Sequence, residues 1–545
     1  MSSPSLRHDT PSANFCLYRA LPWLIVLGVF CIAMAFAYYT DHRWEDFYTA
    51  FRSSKNLAAG NGLVYTVGQK IQSFTSPIGV LLPALLSYLL NDDTAVIWAY
   101  RAVCSLILGL ASVQLLQIAR HLQFSARATI FTVALFATNI LILDFSISGM
   151  EVPFMMLGLT YYLRLMLTQP AHMLRKLSLV IAALMYTRPD SFVYVGCIAF
   201  GFFVFDPTLG GAVANRRRFA LLFLKAGTLA FLLYLPWFAW AWAYYGNPIP
   251  HSVIAKSGLH YYSWHTLQRF LIYPALLISG QVPSNGTSML FLPAYAALNW
   301  IGIGITISRI VCCAAMFYFL LNRGSAQLRS LSVAAYLCSF YLEELSGQSA
   351  LPWYLPNLAL IVVLALALLY HAGVQATVTK RMDRVMSGVL IIALLLNSAA
   401  MLTGAYEMRM QQRVIENGTR TQVGLWLNEH ARTPNDTVLL ECVGYIGFYS
   451  NLKMFDYPGI TSPESVAAIR KVGLDNFAGI ITELKPDWLV LRPKELGQIS
   501  EMNPAALDGY ELRKQFDARP LIPATLPGRG YLEYDAQFNV YARKH

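Results

Sequence analysis

The sequence predicts a polytopic α-helical membrane protein that ends in a soluble α/β domain. Of its 545 residues, 56% are hydrophobic and only 13% are charged, which is too little charge to cover a soluble chain of this length. Several apolar runs approach or exceed the roughly 20 residues that span the hydrocarbon of a bilayer, and we predict about eleven spans in all. Beyond residue 404 the apolar runs become short and interrupted, as in a soluble domain.

The predicted spans are apolar runs separated by short polar loops. They cover residues 21–39, 94–119, 128–147, 152–168, 175–187, 191–206, 219–243, 298–321, 329–345, 355–370 and 387–404. Residues 1–20 are polar, and the run that follows is long enough to span and has no small-residue cleavage pattern. We therefore predict an N-terminal tail rather than a cleaved signal peptide.

The short apolar run at residues 78–90 decides the topology. If it does not span, the N-terminal tail and all the basic loop clusters fall on one side, which is the cytoplasm by the positive-inside rule. If it spans, the later clusters are exported, which that rule disfavours. We therefore expect a re-entrant or juxtamembrane helix, a cytoplasmic N-terminus and an outer C-terminal domain. The same rule accounts for the net charge of +11 without a nucleic-acid partner.

The chain divides into three predicted parts: a cytoplasmic tail (1–20), a membrane domain (21–404) with outer loops 40–93 and 244–297, and an outer domain (405–545). In the outer domain, strand-like runs at 437–442, 488–491 and 538–541 alternate with helix-like patterns at 424–431 and 464–472. This alternation predicts a small α/β module. Cys442 is the only cysteine of this domain, so no disulfide forms within it, and the cysteines show no metal-ligand spacing.

The first outer loop opens with three acids close together, Asp41, Glu45 and Asp46. Beside a re-entrant helix they are candidates for a general base acting on a hydroxyl group; the alternative is a solvated end of the loop. The residues after them have helical apolar spacing up to Gly60 and predict an amphipathic helix along the interface. Arg52 of this helix is a candidate phosphate ligand or a solvated side chain.

Several motifs resemble those of the GT-C glycosyltransferases, in particular the group that contains the mycobacterial terminal arabinofuranosyltransferases. The first outer loop matches at residues 45–52, 56–65 and 73–77. The other matches, in chain order, are at residues 148–151 (Ser-Gly-Met-Glu), 187–190 (Thr-Arg-Pro-Asp), 244–256, 352–354 (Pro-Trp-Tyr), 444–449 and 456–459. Our charge-based topology places every one of these motifs on the outer face, so their side chains are expected to converge on one cavity.

The resemblance implies roles for individual residues. Asp46 matches an acidic position of the family and is the predicted general base, with Glu45 as the second candidate. The predicted donor-phosphate and substrate ligands are Arg52, Glu151, Arg188, Asp190, His251, Lys256, Trp353 and Tyr354. Purely structural alternatives are an Arg188–Asp190 ion pair, a carboxylate favoured at a helix N-terminus for Glu151, and anchoring at the membrane interface for Trp353 and Tyr354.

The function that follows is inverting transfer of a sugar, arabinofuranose by resemblance, from a polyprenyl-phosphate donor to a glycan or a surface protein. The sequence has no Gly-rich nucleotide-binding loop, which fits a lipid-linked donor. A divalent metal is compatible with the acidic first loop, although nothing requires one. The expected location is a bacterial inner membrane. The alternatives are a transporter or flippase of lipid-linked sugars, whose repeated halves are not evident, and a non-catalytic assembly protein.

Overall fold

The structure is a computed structural model that describes residues 13–206, 213–257, 265–282, 284, 286–345 and 350–544. Part of the predicted N-terminal tail and part of the second outer loop therefore lie outside the described residues. The described chain is mostly helical and carries one β-sheet near its C-terminal end. The predicted fold class, an α-helical membrane domain followed by an α/β domain, is confirmed.

Each predicted span coincides with a helix or a pair of helices. These helices are Ala13–Thr40, Asp93–His121, Ala126–Ala137, Ile140–Ile147, Val152–Thr168, Met173–Thr187, Phe192–Phe205, Val213–Tyr245, Gly302–Phe317, Ala326–Phe340, Leu355–Gln375 and Lys380–Met410. Within the described residues, six helices are long and apolar enough to cross a bilayer alone, and a bent pair makes a seventh. Others are shorter apolar helices that need their neighbours, so the chain is a multi-pass membrane protein.

The run predicted as one span at 128–147 is broken into two helices that meet at an angle of 47°. Asn139 lies at the break, where its side chain accepts a hydrogen bond from the Ile142 amide and donates one to the Leu290 carbonyl. An Asn that satisfies backbone groups in this way begins a new helix instead of continuing the old one.

Four further helices, Glu45–Ala58, Pro77–Leu90, His251–Ser257 and His265–Ser279, belong to the predicted outer loops. The helix Pro77–Leu90 matches the predicted 78–90 segment, and Ser76 caps its N-terminus by accepting a hydrogen bond from the Gly79 amide. The helix His265–Ser279 was not predicted, because a Gln, an Arg and a Pro interrupt its apolar run. Arg269 of this helix is ion-paired with Glu344.

A single long helical segment joins the two domains. It runs from Lys380 to His430, and its residues Gln411–Arg420 are wound as a π-helix between the α-helices Lys380–Met410 and Thr421–His430. The predicted boundary at residue 405 falls inside this segment. A π-helical stretch changes the direction in which side chains project, and such stretches are frequent at functional sites.

The outer domain contains a five-stranded mixed sheet. Its strands are β1 (Thr437–Leu440), β2 (Lys453–Asp456), β3 (Trp488–Leu491), β4 (Tyr510–Asp517) and β5 (Gln537–Arg543), in the order β2-β1-β3-β5-β4. β1 pairs in parallel with β2 and β3, and β5 pairs antiparallel with β3 and β4. Its helices are Val443–Ser450, Pro463–Val472, Phe477–Leu484, Pro493–Met502 and Arg529–Tyr534.

The predicted strands and helices of this domain are present, and two further strands were missed. The side chains of β3 are all buried, as expected for an inner strand covered on both faces. β4 is mostly exposed and rich in charged residues, and β2 begins with a lysine. Neither has the apolar pattern by which sequence analysis detects a strand.

Candidate active site between the membrane helices and the outer domain

Buried polar contacts fix the start of the first outer loop. The Arg101 guanidinium donates to the Asp41 carboxylate at 2.9 Å and to the His42 carbonyl at 2.7 Å. His42 and the Trp44 indole both contact the Asp144 carboxylate, at 3.2 and 2.9 Å. Asp41, one of the three acidic candidates, therefore positions the loop.

The helix Glu45–Ala58 packs its aromatic face against both domains. Tyr48 and Phe51 contact rings of the outer-domain helix Val443–Ser450, with Tyr48 and Tyr445 centroids 4.3 Å apart. On the other side, Phe47 lies against Gly149, which has a φ of +99°. A Cβ at that position would lie 2.4 Å from Phe47, so only glycine permits this approach. The packing holds the first turn of the helix, which carries both acidic candidates.

Asp46 projects from this turn into a cavity. Among the residues that the structure describes, none donates a hydrogen bond to its carboxylate or forms an ion pair with it. The Asp46 side chain is exposed to the cavity, but the protein around it partly dehydrates the carboxylate and raises its pKa, while the positive charges of Lys256, Arg188 and Arg420 oppose that rise. An unpaired carboxylate surrounded by cations at a distance is available to accept a proton.

Lys256 lines the same cavity from the helix His251–Ser257. Its ammonium lies 5.5 Å from the centre of the Trp353 ring. No carboxylate of the described chain is in ion-pair contact with it. Burial lowers the pKa of Lys256, and Asp46 is the charge that most strongly raises it. Within the described part of the chain, Lys256 is therefore a cation without a directly bound anion.

Arg188 has two carboxylate partners. It donates to Glu151 at 2.7 Å and to Asp190 at 3.0 Å, and its guanidinium lies 4.6 Å from the centre of the Tyr354 ring. The structural alternative considered for Arg188 and Asp190 therefore holds, and the pair extends to Glu151. The second carboxylate oxygen of Glu151 lies beside Gly79, 3.6 Å from where a Cβ would be, at the start of the helix Pro77–Leu90.

These side chains line what we call the loop cavity, which lies between the two outer loops and the ends of the membrane helices. Its lining includes Asp46, Thr49, Ser73, Thr75, Ser76, Gly79, Glu151, Arg188, Ser252, Lys256, Trp353 and Tyr354. The sequence thus predicted most of its charged and aromatic members. Hydroxyl groups from three separate segments supply further hydrogen-bonding positions.

A second cavity, the interdomain cavity, lies between the membrane domain and the outer domain. It shares Asp46, Lys256, Trp353, Met150 and Ile460 with the loop cavity. Its remaining lining is Trp44, Glu45, Tyr295, Leu298, Leu351, Arg420, Glu441, Val443, Tyr457, Pro458, Arg492, Tyr531, Tyr534 and Asp535. Asp46 and Lys256 therefore stand where the two cavities meet.

Glu45 differs from Asp46 in having partners. Its carboxylate lies 3.1 Å from the Arg420 guanidinium and accepts a hydrogen bond from the Gly444 amide at 3.0 Å. Burial raises the pKa of Glu45 to about 8, and Arg420 acts in the opposite direction. Glu45 links the first loop to the outer domain, whereas its neighbour Asp46 has no ion-pair partner among the residues described.

Two arginines of the outer domain share one carboxylate. Arg420 and Arg492 each contact Asp535 at 2.6 Å. Arg420 also binds Glu416, and Arg492 binds Glu495, both at 2.7 Å. Sequence analysis missed this network because its only visible signals are the short spacings between each arginine and its nearby glutamate, which usually mark a solvated helix face.

Three of the predicted substrate ligands, Arg52, Asp190 and His251, line neither cavity. Asp190 is held beside the loop cavity by its ion pair with Arg188. Arg52 is buried, and its guanidinium donates to the Gly447 and Leu452 carbonyls at 2.7 and 3.0 Å. It therefore fastens the outer domain to the first loop and does not line either cavity, which corrects its assignment as a phosphate ligand. His251 also lies outside both linings, packed near Gly459 and Ser462, and burial lowers its pKa.

The described residues contain no group of three or more His, Cys, Asp or Glu side chains arranged to hold a metal ion. The acids of the first loop do not gather around a common point, since Asp41 and Glu45 each face an arginine. The described residues instead supply a carboxylate and an ammonium group that have no ion-pair partner in that part of the chain, together with hydroxyl-lined space, which suits proton transfer and the binding of a phosphate.

Comparison with known proteins identifies the fold. A family model described as a domain of unknown function (DUF8728) matches residues 406–541. The structure is similar to that of ArnT from Cupriavidus metallidurans bound to undecaprenyl phosphate. The TM-score is 0.51 and the sequence identity is 11%, over 96% of this chain and 98% of ArnT. For the apo structure of ArnT, the TM-score is 0.51 and the sequence identity is 12%, over 97% of this chain and 98% of ArnT. No curated protein matches by sequence.

An oligosaccharyltransferase from Archaeoglobus fulgidus, in complex with zinc and sulfate, is also similar. Its TM-score is 0.53 at 13% identity, over 90% of this chain and 72% of that chain. At such low identities the likeness concerns the fold alone. The chain therefore has the fold of the GT-C glycosyltransferases, as the sequence resemblance implied, while the resemblance to arabinofuranosyltransferases stays a prediction.

Proposed function

We propose that this protein is a membrane glycosyltransferase that transfers a sugar from a polyprenyl-phosphate donor to a hydroxyl group of an acceptor. The observation that carries the proposal is the junction of the two cavities, where the unpaired carboxylate of Asp46 and the ammonium group of Lys256 line the same space. A transfer reaction between two substrates needs this arrangement, because a base must reach the nucleophile while a cation stabilises the leaving group.

In this mechanism Asp46 is the general base. It accepts the proton of the acceptor hydroxyl as that oxygen forms a bond to the anomeric carbon of the donor. The bond between the anomeric carbon and the phosphate oxygen breaks, and its electron pair stays on the phosphate. A single displacement inverts the anomeric configuration. Because Asp46 has no protein partner among the described residues, it starts without a bond that must first be broken.

Lys256 stabilises the negative charge that develops on the leaving phosphate. Preorganised cations contribute most in a partly dehydrated cavity, where charges are screened less than in water. Arg188 adds positive potential but is already paired with Glu151 and Asp190. Its proposed role is therefore to fix these two carboxylates and to support the Tyr354 ring.

The donor is proposed to occupy the loop cavity. This cavity is bordered by the apolar helix Pro77–Leu90, whose residues Leu85 and Leu89 are exposed, as suits a lipid-linked substrate. The similar ArnT structure contains undecaprenyl phosphate, which supports a donor of this class. Glu151 and the hydroxyls of the cavity would bind the sugar, and the sequence resemblance makes arabinofuranose the first sugar to test.

The proposed orientation places the N-terminus in the cytoplasm of a bacterium and the outer domain outside the inner membrane. The basic clusters of the short loops support it. The acceptor would then be an extracytoplasmic glycan or surface protein.

The test is a transfer assay on the purified full-length protein in detergent. Polyprenyl-phosphoryl arabinofuranose and other polyprenyl-phosphate sugars are offered with a mixture of acceptors, and released polyprenyl phosphate and glycosylated product are both measured. We expect product with at least one donor. Release of no polyprenyl phosphate from any donor would overturn the proposal and favour a transporter, which proteoliposomes loaded with the same lipids would detect.

A further inference from the structure

We propose that the interdomain cavity is the acceptor site and that it takes a saccharide without negative charge. The inference rests on the proposed function, since it requires that the loop cavity hold the donor. Its own basis is independent: the position of the cavity, the charges on its walls and its aromatic rings.

The position follows from how the cavities connect. They share Asp46, Lys256 and Trp353. The acceptor hydroxyl must contact Asp46 and attack the anomeric carbon from the side opposite the leaving phosphate. With the donor in the loop cavity, the interdomain cavity is a second space that touches Asp46. It is walled by the outer domain through Arg420, Glu441, Tyr531 and Asp535, so the outer domain contributes directly to the acceptor site.

The charge of the cavity argues against an anionic acceptor. Four carboxyl groups line it, those of Glu45, Asp46, Glu441 and Asp535, against the three cations Lys256, Arg420 and Arg492. Because burial raises the pKa of Glu45 to about 8, the lining groups carry about as many negative as positive charges at neutral pH. The positive charge of the two arginines is largely used by buried partners, because Glu416 and Glu495 bind them from behind the wall. With Glu416 and Glu495 included, acidic groups outnumber the cations around the cavity. A negatively charged acceptor would therefore bring like charges together, which is the way proteins exclude wrong partners.

The rings and the mixed polar groups favour a saccharide. Tyr295 and Tyr531 are stacked with centroids 4.1 Å apart, and Trp353 and Tyr534 also line the cavity. Aromatic faces supply apolar contact area for the C–H faces of sugar rings. Each sugar hydroxyl both donates and accepts hydrogen bonds, and the walls contain both carboxylates, which accept, and guanidinium groups, which donate.

The experiment uses the full-length enzyme, one active donor and three acceptors. Two are oligosaccharides of equal length, one neutral and one with carboxylates on residues that do not react, and the third is a neutral peptide rich in serine and threonine. We expect the neutral oligosaccharide to have a KM at least about tenfold lower than its anionic partner, with the ratio shrinking at high salt. Equal use of the two oligosaccharides, or preference for the peptide, would overturn the proposal.

Two variants test the walls. Glu441→Gln removes one lining charge, while Arg492 keeps Glu495 and Asp535 as partners. We expect this variant to reduce the ratio of the anionic to the neutral acceptor KM several-fold. Tyr534→Ala removes a ring that is 42% exposed and should raise the acceptor KM about fivefold with the donor KM unchanged. The matched control is Glu511→Gln on the exposed strand β4, which should change neither value.

Measuring donor consumption without added acceptor distinguishes a failure of the acceptor-site proposal from a failure of the proposed function. If polyprenyl phosphate is released by hydrolysis or transfer but neither wall variant alters acceptor use, the acceptor site is wrong and the proposed function stands. If no donor is consumed under any condition, the proposed function itself fails, and this inference fails with it.

Discussion

The loop cavity and the interdomain cavity meet at Asp46 but are built differently. Most of the loop cavity comes from the outer segments near residues 46–50, 73–80, 149–151 and 252–256, where short motifs of the sequence place polar groups at helix ends. The interdomain cavity depends on contacts between distant parts of the chain, such as Glu45 with Arg420 and Arg420 with Asp535. Its shape therefore depends on the docking of the outer domain, whereas the loop cavity lies largely within the membrane domain.

The largest expected effect tests Asp46 against its neighbour. Asp46→Asn should lower kcat by about 10³-fold, within the range for loss of a general base, because an amide cannot accept the hydroxyl proton. Glu45→Gln should lower kcat by only about tenfold, since Glu45 positions the loop through Arg420. Rates are measured with both substrates saturating, and donor binding is measured separately. Equal losses in the two variants would contradict the division of roles.

Lys256 tests the donor side. Lys256→Met should lower kcat by about 10²-fold, since the leaving phosphate loses its nearby cation, while the acceptor KM stays unchanged. Lys256→Arg is the matched variant, which keeps the charge over Trp353 and should retain part of the rate. An increase in the acceptor KM with no change in kcat would indicate that Lys256 binds the acceptor and not the donor phosphate, which contradicts its assigned role.

The same contrast explains what the sequence could predict. Glu151, Arg188, Trp353 and Tyr354 lie in short motifs at predicted helix ends, and the charge-based topology put them on one face. Their meeting in one cavity could therefore be expected.

The interdomain network could not be foreseen. Arg420 and Asp535 are separated by 115 residues, and nothing in either local pattern indicates the other. Arg52 shows the converse error: an arginine on an amphipathic helix suggested a phosphate ligand, but docking of the outer domain buries it against carbonyl groups. Such contacts depend on tertiary packing, which overrides the local pattern.

Substitution of Arg420 tests whether the outer domain influences the pKa of Asp46. Burial raises the pKa of Asp46 and Arg420 opposes the rise, so Arg420→Gln should shift the acid limb of the pH–rate profile to higher pH. The rate falls as pH decreases because Asp46 becomes protonated. At neutral pH we expect about a tenfold loss, from the altered pKa and from the released Glu45.

Arg420→Lys is the control for that shift, because it keeps the charge and should leave the acid limb in place. Removing one partner of a buried ion pair can cost about 3–5 kcal/mol of folding stability, so a lower rate of Arg420→Gln could also result from unfolding. Arg420→Lys keeps the ion pair and therefore controls for that loss of stability. An acid limb that is identical in wild type, Arg420→Gln and Arg420→Lys would contradict an electrostatic role for this residue.

The smallest effect concerns the stability of the contact between the domains. The pKa of Glu45 is raised from 4.5 to about 8 in the folded protein, so its protonated form favours folding. Its contribution is fully present below about pH 4.5 and is lost as pH rises through about 8. The Tm of wild type should therefore fall relative to that of Glu45→Gln between pH 5 and pH 8, as measured by thermal unfolding in detergent. Parallel pH profiles would contradict this assignment.

The most direct test of Asp46 as a general base is the stereochemistry of the product. The donor is a single anomer, and the configuration of the newly formed linkage is determined by NMR before any secondary reaction. A single displacement assisted by Asp46 predicts inversion at the anomeric carbon. Retention would indicate a covalent glycosyl-enzyme with a carboxylate as nucleophile, and would contradict the role assigned to Asp46.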